Sequence, residues 1–257
     1  MVRQPNTHGD AAATLLALHV PGDPLVLPNV WDVPSAVAVA TAGYPAVATS
    51  SAAVAGALGH SDGEAAPAAE MFAAAARIAR VLEVPLTVDA EAGYGLSPAD
   101  LVDALLSSGA VGCNIEDTDH RDGGVRDLLA QAEYLAGVRA AADAAGVHLV
   151  INARIDLFLH DQPPGTLLDA AVQRGLRYAA AGADCVYPIL LHDPVLAAAF
   201  CAAVSPLPVN LLGWYVPSTG RIALTDATAV GAARVSFGPD LWRAAMRALD
   251  ALIPPLY

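Results

Sequence analysis

The chain has 257 residues, with 26 acidic and 13 basic side chains and a formal net charge of −13. All 13 basic residues are arginines, so Schiff-base, pyridoxal-phosphate and P-loop enzymes, which need a lysine amine, are excluded. The acidic balance also argues against a nucleic acid or an anionic membrane surface as partner.

Eight short apolar runs, rich in β-branched residues and separated by alanine-rich helical segments, are the predicted strands. In chain order they are residues 25–28, 46–49, 86–89, 112–115, 149–152, 185–187, 209–212 and 235–237. Eight strand–helix units at this length predict a parallel α/β fold, a single (β/α)8 TIM barrel spanning residues 1–257. An open doubly wound sheet is the rival, but no GxGxxG turn follows the first strand.

Helix boundaries carry local signals. Ser97 stands directly before a proline, as a residue that caps a helix start does. Glycines 43, 109, 146 and 182 each follow a helical stretch and precede a strand, the usual place for a glycine that ends a helix.

Three widely spaced cysteines without a CxxC pair fit a reducing compartment. The N-terminal segment has no apolar core, and the long uncharged stretches are broken by proline and glycine. We therefore expect a soluble, cytoplasmic protein with no membrane span.

Polar side chains cluster where the strands end, which is where the chemistry of a barrel enzyme takes place. They are Thr49, Ser50 and Ser51; Asp89 and Glu91; Asn114, Glu116 and Asp117; Asn152, Arg154 and Asp156; and Asn210. Converging carboxylates repel one another unless a cation lies among them, and a hard divalent ion held by oxygen ligands fits best. On a strand, the Asp89-x-Glu91 spacing would place both carboxylates on one side. Asp117 and Asp156 could instead only cap the helices that follow them.

These residues, taken in order, resemble the isocitrate lyase/phosphoenolpyruvate mutase superfamily over about residues 29–246. The resemblance is carried by Asn29-Val30-Trp31-Asp32, Thr49-Ser50-Ser51, Leu58-Gly59, Asp62-Gly63-Glu64, Val88-Asp89-Ala90-Glu91-Ala92-Gly93-Tyr94-Gly95, Gly112-Cys113-Asn114-Ile115-Glu116-Asp117, Ile151-Asn152-Ala153-Arg154, Gly182-Ala183-Asp184-Cys185 and Pro208-Val209-Asn210. The D-x-[DE]-x-GYG block followed by IED and NAR is its most specific part.

The resemblance implies a (β/α)8 barrel that forms homo-oligomers, dimers or tetramers, with the C-terminal helix exchanged between subunits. It also implies Mg2+, with Mn2+ as a substitute, and small carboxylic or phosphono acid substrates. By position, Asp89 would bind the metal directly, while Asp62, Glu91 and Glu116 would hold its water molecules. Ser50, Ser51 and Ala52 would bind a substrate carboxylate or phosphonate, Arg154 would neutralise the oxyanion, and Asn210 would contact the far carboxylate. Trp31, at the end of the first strand, is expected either to form a wall of the substrate pocket or to pack beneath it.

The segment after the fourth strand departs from the family pattern. It contains neither the cysteine nor the lysines of the lyase loop, and the sixth strand continues into Tyr187-Pro188 where those enzymes place glutamate or histidine. Either His120 or Arg121 could replace the missing acid, and histidine donates a proton near neutral pH. The alternative is that both side chains belong to a solvated loop. The leading hypothesis is a Mg2+-dependent C–C lyase acting on a small 2-oxo or 2-hydroxy acid through an enolate. P–C bond chemistry (mutase or phosphonopyruvate hydrolase) and a barrel that binds a ligand without turnover are the alternatives.

Overall fold

The computed structural model describes residues 8–160, 162–213 and 223–253. Over these ranges strands alternate with helices along the chain. The strands are β1 (Leu25–Leu27), β2 (Asn29–Val30), β3 (Val47–Thr49), β4 (Leu86–Asp89), β5 (Gly112–Glu116), β6 (Val150–Ile155), β7 (Cys185–Pro188), β8 (Asn210–Leu212) and β9 (Arg234–Ser236). The helices are α1 (His8–Ala17), α2 (Val33–Thr41), α3 (Ser51–Leu58), α4 (Ala68–Ala79), α5 (Pro98–Ser107), α6 (Leu128–Ala144), α7 (Pro164–Ala180), α8 (Pro194–Val204), α9 (Leu224–Ala229) and α10 (Asp240–Leu252), with a 3₁₀ turn at Leu157–Leu159.

All of these strands pair in parallel. β2 to β7 form one sheet in chain order, and β1, β9 and β8 form a second sheet in that order. β1 runs into β2 across a single residue, and a parallel bridge between Val186 and Val209 joins the outer strands β7 and β8. The protein is therefore an α/β fold with parallel sheets, as the alternation of strands and helices predicts.

Each of the eight predicted strands is present, with two differences. The first is divided at Pro28, because proline has no N–H to donate to a neighbouring strand. β5 and β6 run further than predicted, so that Glu116 and Arg154 lie within strands and are neighbours in the β5–β6 register. The strand framework itself thus holds these two side chains together.

The helix boundaries follow the predicted signals. The Ser97 hydroxyl accepts a hydrogen bond from the Asp100 N–H at 3.2 Å and caps α5. The glycines at 43, 109, 146 and 182 all have positive φ, between 72° and 100°, directly after α2, α5, α6 and α7. These glycines end the helices because a left-handed backbone costs them little.

Helix α1 packs against the amino-terminal ends of the strands. Leu15 is fully buried, and a Cβ at Gly112 would lie 2.6 Å from its Cδ2. His19, two residues after α1, is 7% exposed, and its Nδ1 lies 2.8 Å from the Leu15 carbonyl. Burial, together with the charge of Arg234, lowers the pKa of His19 to about 4.

Helix α10 is amphipathic, yet none of its residues is buried within the single chain. Trp242 packs close to Gly56 of α3, whereas Leu249 and Leu252 are 49% and 79% exposed. The exchange of this helix between subunits stays a prediction. Along the described ranges we find no helix with the length and apolarity needed to span a membrane. The N-terminal residues 1–7, which bear on the expected absence of a signal segment, lie outside the described chain.

The buried His19 predicts an acid-sensitive contribution to stability. Its pKa is lower in the folded chain than in the unfolded chain, so the unfolded chain binds the extra proton between about pH 6.5 and pH 4. Stability from this group is complete above pH 6.5 and falls by up to about 3 kcal/mol as the pH drops to 4.

We expect His19→Gln to flatten the dependence of the unfolding free energy on pH in that window, measured by urea denaturation. His148→Gln serves as the control because this side chain is 50% exposed. An unchanged pH slope in His19→Gln would contradict the assignment.

Candidate active site

Asp89, the last residue of β4, lies at the amino end of α3. Its Oδ2 accepts hydrogen bonds from the Ser51 N–H at 3.1 Å and from the Ser51 hydroxyl at 2.8 Å. Its own N–H donates to the Thr49 hydroxyl at 2.9 Å, which fixes the end of β4 against β3. Oδ1 is buried and has no hydrogen-bond partner among the described residues. A buried carboxylate oxygen without a partner is costly, so this atom is suited to a cation.

Asp62 approaches Asp89 through a shared partner. The hydroxyl of Ser51 lies 3.4 Å from Asp62 Oδ1, in addition to its contact with Asp89. Asp62 is exposed and lies on the segment between α3 and α4. The two carboxylates therefore share the Ser51 hydroxyl as a partner.

Glu91 lies in a tightly bonded turn with Glu64 and Tyr94. Its Oε1 accepts from the Tyr94 hydroxyl at 2.9 Å, its Oε2 accepts from the Glu64 N–H, and Glu64 Oε1 accepts from the Tyr94 N–H at 2.5 Å. Burial raises the pKa of Glu91 to about 7, and the charges of Asp89 and Asp62 add to the rise.

The same three residues have positive φ: 47° at Glu91, 59° at Glu64 and 54° at Tyr94. Non-glycine residues in this region are strained, and such residues concentrate at functional sites. β4 ends at Asp89, so the expectation that Asp89 and Glu91 share one side of a strand is wrong. A turn brings Glu91 to the site instead.

Glu116, at the end of β5, contacts two basic side chains. Its Oε2 forms an ion pair with Arg154 Nη2, and its Oε1 lies 2.6 Å from His120 Nε2. Burial raises the pKa of Glu116, although Arg154 and His120 partly offset this effect. The hydrogen bond to Glu116 in turn raises the pKa of His120. The pair can thus hold a proton at the mouth of the site.

Arg154 is held on its other side by Asp156. Its Nε and Nη2 each lie 2.7 Å from an oxygen of Asp156, which is a bidentate contact. The second Asp156 oxygen also accepts from the Thr118 hydroxyl. Burial lowers the pKa of Arg154, but Asp156 and Glu116 outweigh this effect and raise the pKa above its ordinary value. Arg154 is therefore a permanent, fixed cation.

Asp117 and Asp156 are fully buried, and neither side chain caps a helix. Asp117 Oδ1 accepts from the Asp156 N–H at 2.8 Å, and Oδ2 accepts from Arg174 at 2.9 Å and from the Tyr178 hydroxyl at 2.7 Å. Asp156 precedes the short 3₁₀ turn without making a side-chain cap bond. The alternative that these carboxylates act only as helix caps is wrong, because both belong to a buried ionic network.

The residues expected to bind substrate lie in different surroundings. The Ser50 hydroxyl caps α3 by accepting from the Ala53 N–H at 3.4 Å, and Ala52 lies in the first turn of that helix. Trp31 is partly buried and packs with the apolar cluster that includes Val54.

Asn210 is fully buried, and its side chain pairs with the Ser236 hydroxyl at 3.1 and 3.3 Å. Tyr187, beside Arg154 in the β6–β7 register, hydrogen-bonds to the same Ser236. Asn210 is thereby linked to the Arg154 side of the site through two intervening side chains.

The segment between β5 and α6 lies over the acidic cluster. A Cβ at Gly63 would lie 3.5 Å from His120 Nδ1, and a Cβ at Gly95 would lie 3.4 Å from Arg121 Nη2. The ring of His120 is therefore enclosed between Glu116 and the turn that bears Asp62.

The structure thus brings together Asp62, Asp89, Glu91, Glu116, His120 and Arg154. Sequence reasoning did not assign a role to Glu64, Arg174, Tyr178 or Tyr187. Glu64 and Tyr94 lie in the motifs that carry the family resemblance, which is the signal that marks them. Arg174 and Tyr178 lie in a helix with no such motif.

The donor set fits a divalent ion bound largely through water. Among the residues that the structure describes, no three His, Cys, Asp or Glu side chains converge closely enough to ligate one ion directly. One direct carboxylate, Asp89, with further carboxylates around it is a common arrangement for Mg2+, which keeps several of its waters. The family-implied roles of Asp62, Glu91 and Glu116 as water holders are compatible with this placement.

Comparison with known proteins gives consistent matches over most of the chain. The sequence model of the phosphoenolpyruvate phosphomutase family matches residues 15–254. An uncharacterized protein of Mycobacterium tuberculosis is 36% identical over 221 residues, which cover 86% of this chain and 80% of that protein. The 2-methylisocitrate lyase of Escherichia coli is 30% identical over 218 residues, covering 76% of this chain and 71% of the lyase. A Burkholderia cenocepacia crystal structure, described only provisionally as a phosphonomutase, matches with a TM-score of 0.87 at 41% identity and covers 96% of this chain and 98% of that one.

Proposed function

The chain belongs to the phosphoenolpyruvate phosphomutase family, within the isocitrate lyase/phosphoenolpyruvate mutase superfamily, and from this premise we propose that it is a Mg2+-dependent C–C lyase. The substrate is a small 2-oxo or 2-hydroxy carboxylic acid, similar to oxaloacetate, an alkylmalate or methylisocitrate, which is cleaved through an enolate. The observation that carries the proposal is the buried Oδ1 of Asp89, which has no hydrogen-bond partner in the described part of the chain and lies in a cluster of carboxylates beside the fixed cation Arg154.

Asp89 would hold the metal directly, and Asp62, Glu91 and Glu116 would hold it through water. Mg2+ fits this all-oxygen set, and Mn2+ is a reasonable substitute. The metal, when bound, polarises the substrate carbonyl and stabilises negative charge on its oxygen. It would also offset the charges of Asp89 and Asp62, which add to the effect of burial in raising the pKa of Glu91.

Arg154 is the residue that stabilises the enolate oxygen. Asp156 engages Nε and Nη2, and Glu116 engages Nη2 again, so among the described residues Nη1 is the nitrogen that remains for a contact with the substrate. Because both anionic partners are fixed, the guanidinium does not need to reorganise when charge develops. Stabilisation that grows as the C–C bond breaks lowers the barrier to cleavage.

His120 with Glu116 is the proton-handling pair. The imidazole lies on the segment that covers the site and shares a short contact with a buried carboxylate, 2.6 Å from Nε2 to Oε1. His120 would give a proton to the enolate carbon, and Glu116 would stabilise the charged ring beforehand. The pair would take the place of the cysteine acid that is missing from this segment.

The amino end of α3 would bind the substrate carboxylate. In this structure Ser51 donates its backbone N–H and its hydroxyl to the Asp89 carboxylate there, and the partial positive charge of the helix end favours an anion. Ser50 and Ala52 flank it in the same turn. Asn210 and Trp31 would lie toward the far end of the substrate.

P–C bond chemistry is the second candidate. It is favoured by the family model and by the 41% identity to the provisionally described phosphonomutase. The same residues could bind a phosphonate at the α3 end and stabilise a pyruvate-like enolate at Arg154.

We also propose that the two parallel sheets close through the Val186–Val209 bridge and the β1–β2 junction into one (β/α)8 barrel domain over residues 1–257. The exposed apolar residues of α10 would be covered by exchange of this helix in a homo-oligomer, either a dimer or a tetramer.

The metal assignment predicts that oxalate, which mimics the enolate of pyruvate, binds only with Mg2+ present. Asp89→Asn should weaken Mg2+-dependent oxalate binding by about 100-fold or more, measured by isothermal titration calorimetry. The control is Asp143→Asn, because this α6 carboxylate is 59% exposed. Equal affinity in the wild type and Asp89→Asn would show that the metal is held elsewhere.

The proton-transfer role predicts a separation of turnover from binding. In a panel of oxaloacetate, alkylmalates, methylisocitrate and phosphonopyruvate, the wild type should cleave at least one of the C–C substrates. His120→Gln should lower that turnover by about 100-fold and change oxalate affinity by less than about threefold. His148→Gln, an exposed site, is the matched control.

Two results of the panel would decide against the lyase. Turnover of phosphonopyruvate alone would establish P–C chemistry. Mg2+-dependent oxalate binding with no product from any acid in the panel would indicate a ligand-binding barrel without turnover.

A further inference from the structure

We propose that Arg174, on α7, is a positioning residue that holds both the segment covering the site and the catalytic Arg154 in place. The covering segment is defined as residues 118–125, between the end of β5 and Arg126. The proposal rests on the proposed function in taking this segment to close over a reaction site. Among the residues that the structure describes, Arg174 forms hydrogen bonds with Asp117, Tyr178 and the Arg126 carbonyl, none of which belongs to the acidic cluster or to the predicted substrate-binding residues.

Arg174 binds both ends of the covering segment. Its Nη1 lies 2.9 Å from the carboxylate of Asp117, the residue directly before the segment, and its Nη2 donates to the carbonyl of Arg126, directly after it, at 2.9 Å. The two ends are also joined to each other, because the Arg126 N–H donates to the Asp117 carbonyl at 2.7 Å. One guanidinium thus fixes the separation and direction of both ends.

The segment between these ends forms a short hairpin. Thr118 and Val125 form an antiparallel bridge, and the Asp119 N–H donates to the Gly124 carbonyl at 2.9 Å. The hairpin carries His120 down to Glu116. A hairpin of this size is only marginally stable on its own, so its orientation depends on the residues that bind its two ends.

A second path leads from Arg174 to Arg154. Arg174 pairs with Asp117, the Asp117 Oδ1 accepts from the Asp156 N–H at 2.8 Å, and Asp156 holds Arg154 in a bidentate contact. Asp117 and Asp156 are both fully buried and adjacent. Each of these buried carboxylates therefore needs a cation beside it. Arg174 pairs with Asp117, and Arg154 pairs with Asp156.

Tyr178 completes the arrangement. Its hydroxyl donates to Asp117 Oδ2 at 2.7 Å and accepts from Arg174 Nη1 at 2.7 Å. Asp117, Tyr178 and the Arg126 carbonyl are three acceptors at different positions, which a planar guanidinium can serve at once. The single ammonium of a lysine cannot reproduce that fork, although it keeps the charge.

The test is hydrogen–deuterium exchange, read by mass spectrometry, on the ligand-free full chain. In Arg174→Lys and Tyr178→Phe, exchange of residues 118–126 should be about five- to tenfold faster, while that of β4 to β6 stays within about twofold of the wild type. The matched control is Arg177→Gln, an exposed arginine on the same helix, which should exchange as the wild type does. Arg174→Gln, which also removes the charge, should show a larger effect. If it fails to fold, the two milder variants decide.

Oxalate binding in the presence of Mg2+ tests the path to Arg154. We expect Arg174→Lys to raise the Kd of oxalate about tenfold and Arg177→Gln to leave it unchanged. A purely structural arginine would raise exchange equally in the core strands and the segment, and that result would overturn the proposal. Unchanged exchange of residues 118–126 in both folded variants would also overturn it. If wild-type protein does not bind oxalate with Mg2+, the proposed function fails, but the exchange measurement still decides the role of Arg174.

Discussion

The ion pairs of Arg154 with Glu116 and Asp156 are the interactions on which the site depends. Burying a carboxylate without a partner costs several kcal/mol, roughly as much as the whole stability of a marginal domain. Glu116 and Asp156 are 3% and 0% exposed, so the guanidinium that lies between them supplies the charge that compensates their burial. Because Glu116 and Arg154 are neighbours in the β5–β6 register, the pair is fixed by backbone hydrogen bonds rather than by flexible side chains.

The rest of the site follows from that constraint in two directions. Toward solvent, Glu116 also pairs with His120. Asp89, Asp62 and Glu91 lie on the other side, where a divalent ion would balance their negative charge. Toward the helices, the Asp156 N–H donates to the Asp117 carboxylate, which also accepts hydrogen bonds from Arg174 and Tyr178. Because the chain has no lysine, the side chains that supply positive charge to Asp117 and Asp156 are arginines, whose planar guanidinium can bind two oxygen acceptors at once. The same absence leaves the segment over the site without the lysines that the family resemblance leads one to expect.

Local signals were sufficient to predict most of the framework. The strands follow from short β-branched runs, and the helix ends follow from glycines that adopt positive φ, since both depend on nearby residues. The acidic cluster was predicted because the carboxyl ends of parallel strands meet at one edge of a sheet. The turn at Glu91 was not predicted, because its left-handed backbone is stabilised by Glu64, 27 residues away. Arg174 and Tyr178 lie 57 and 61 residues from Asp117, and nothing in the helical pattern of α7 indicates that pairing.

The central claim is that this site stabilises the enolate of a pyruvate-like acid with Mg2+ and Arg154. The most direct measurement is proton NMR of the methyl group of pyruvate in D2O, because enolate formation exchanges those protons whatever the natural substrate is. We expect the methyl signal to decay in the presence of the enzyme and Mg2+ and to persist when the metal is chelated. Oxalate should block the decay. A methyl signal that stays constant in the presence of Mg2+, at enzyme concentrations that bind oxalate, would contradict the central claim.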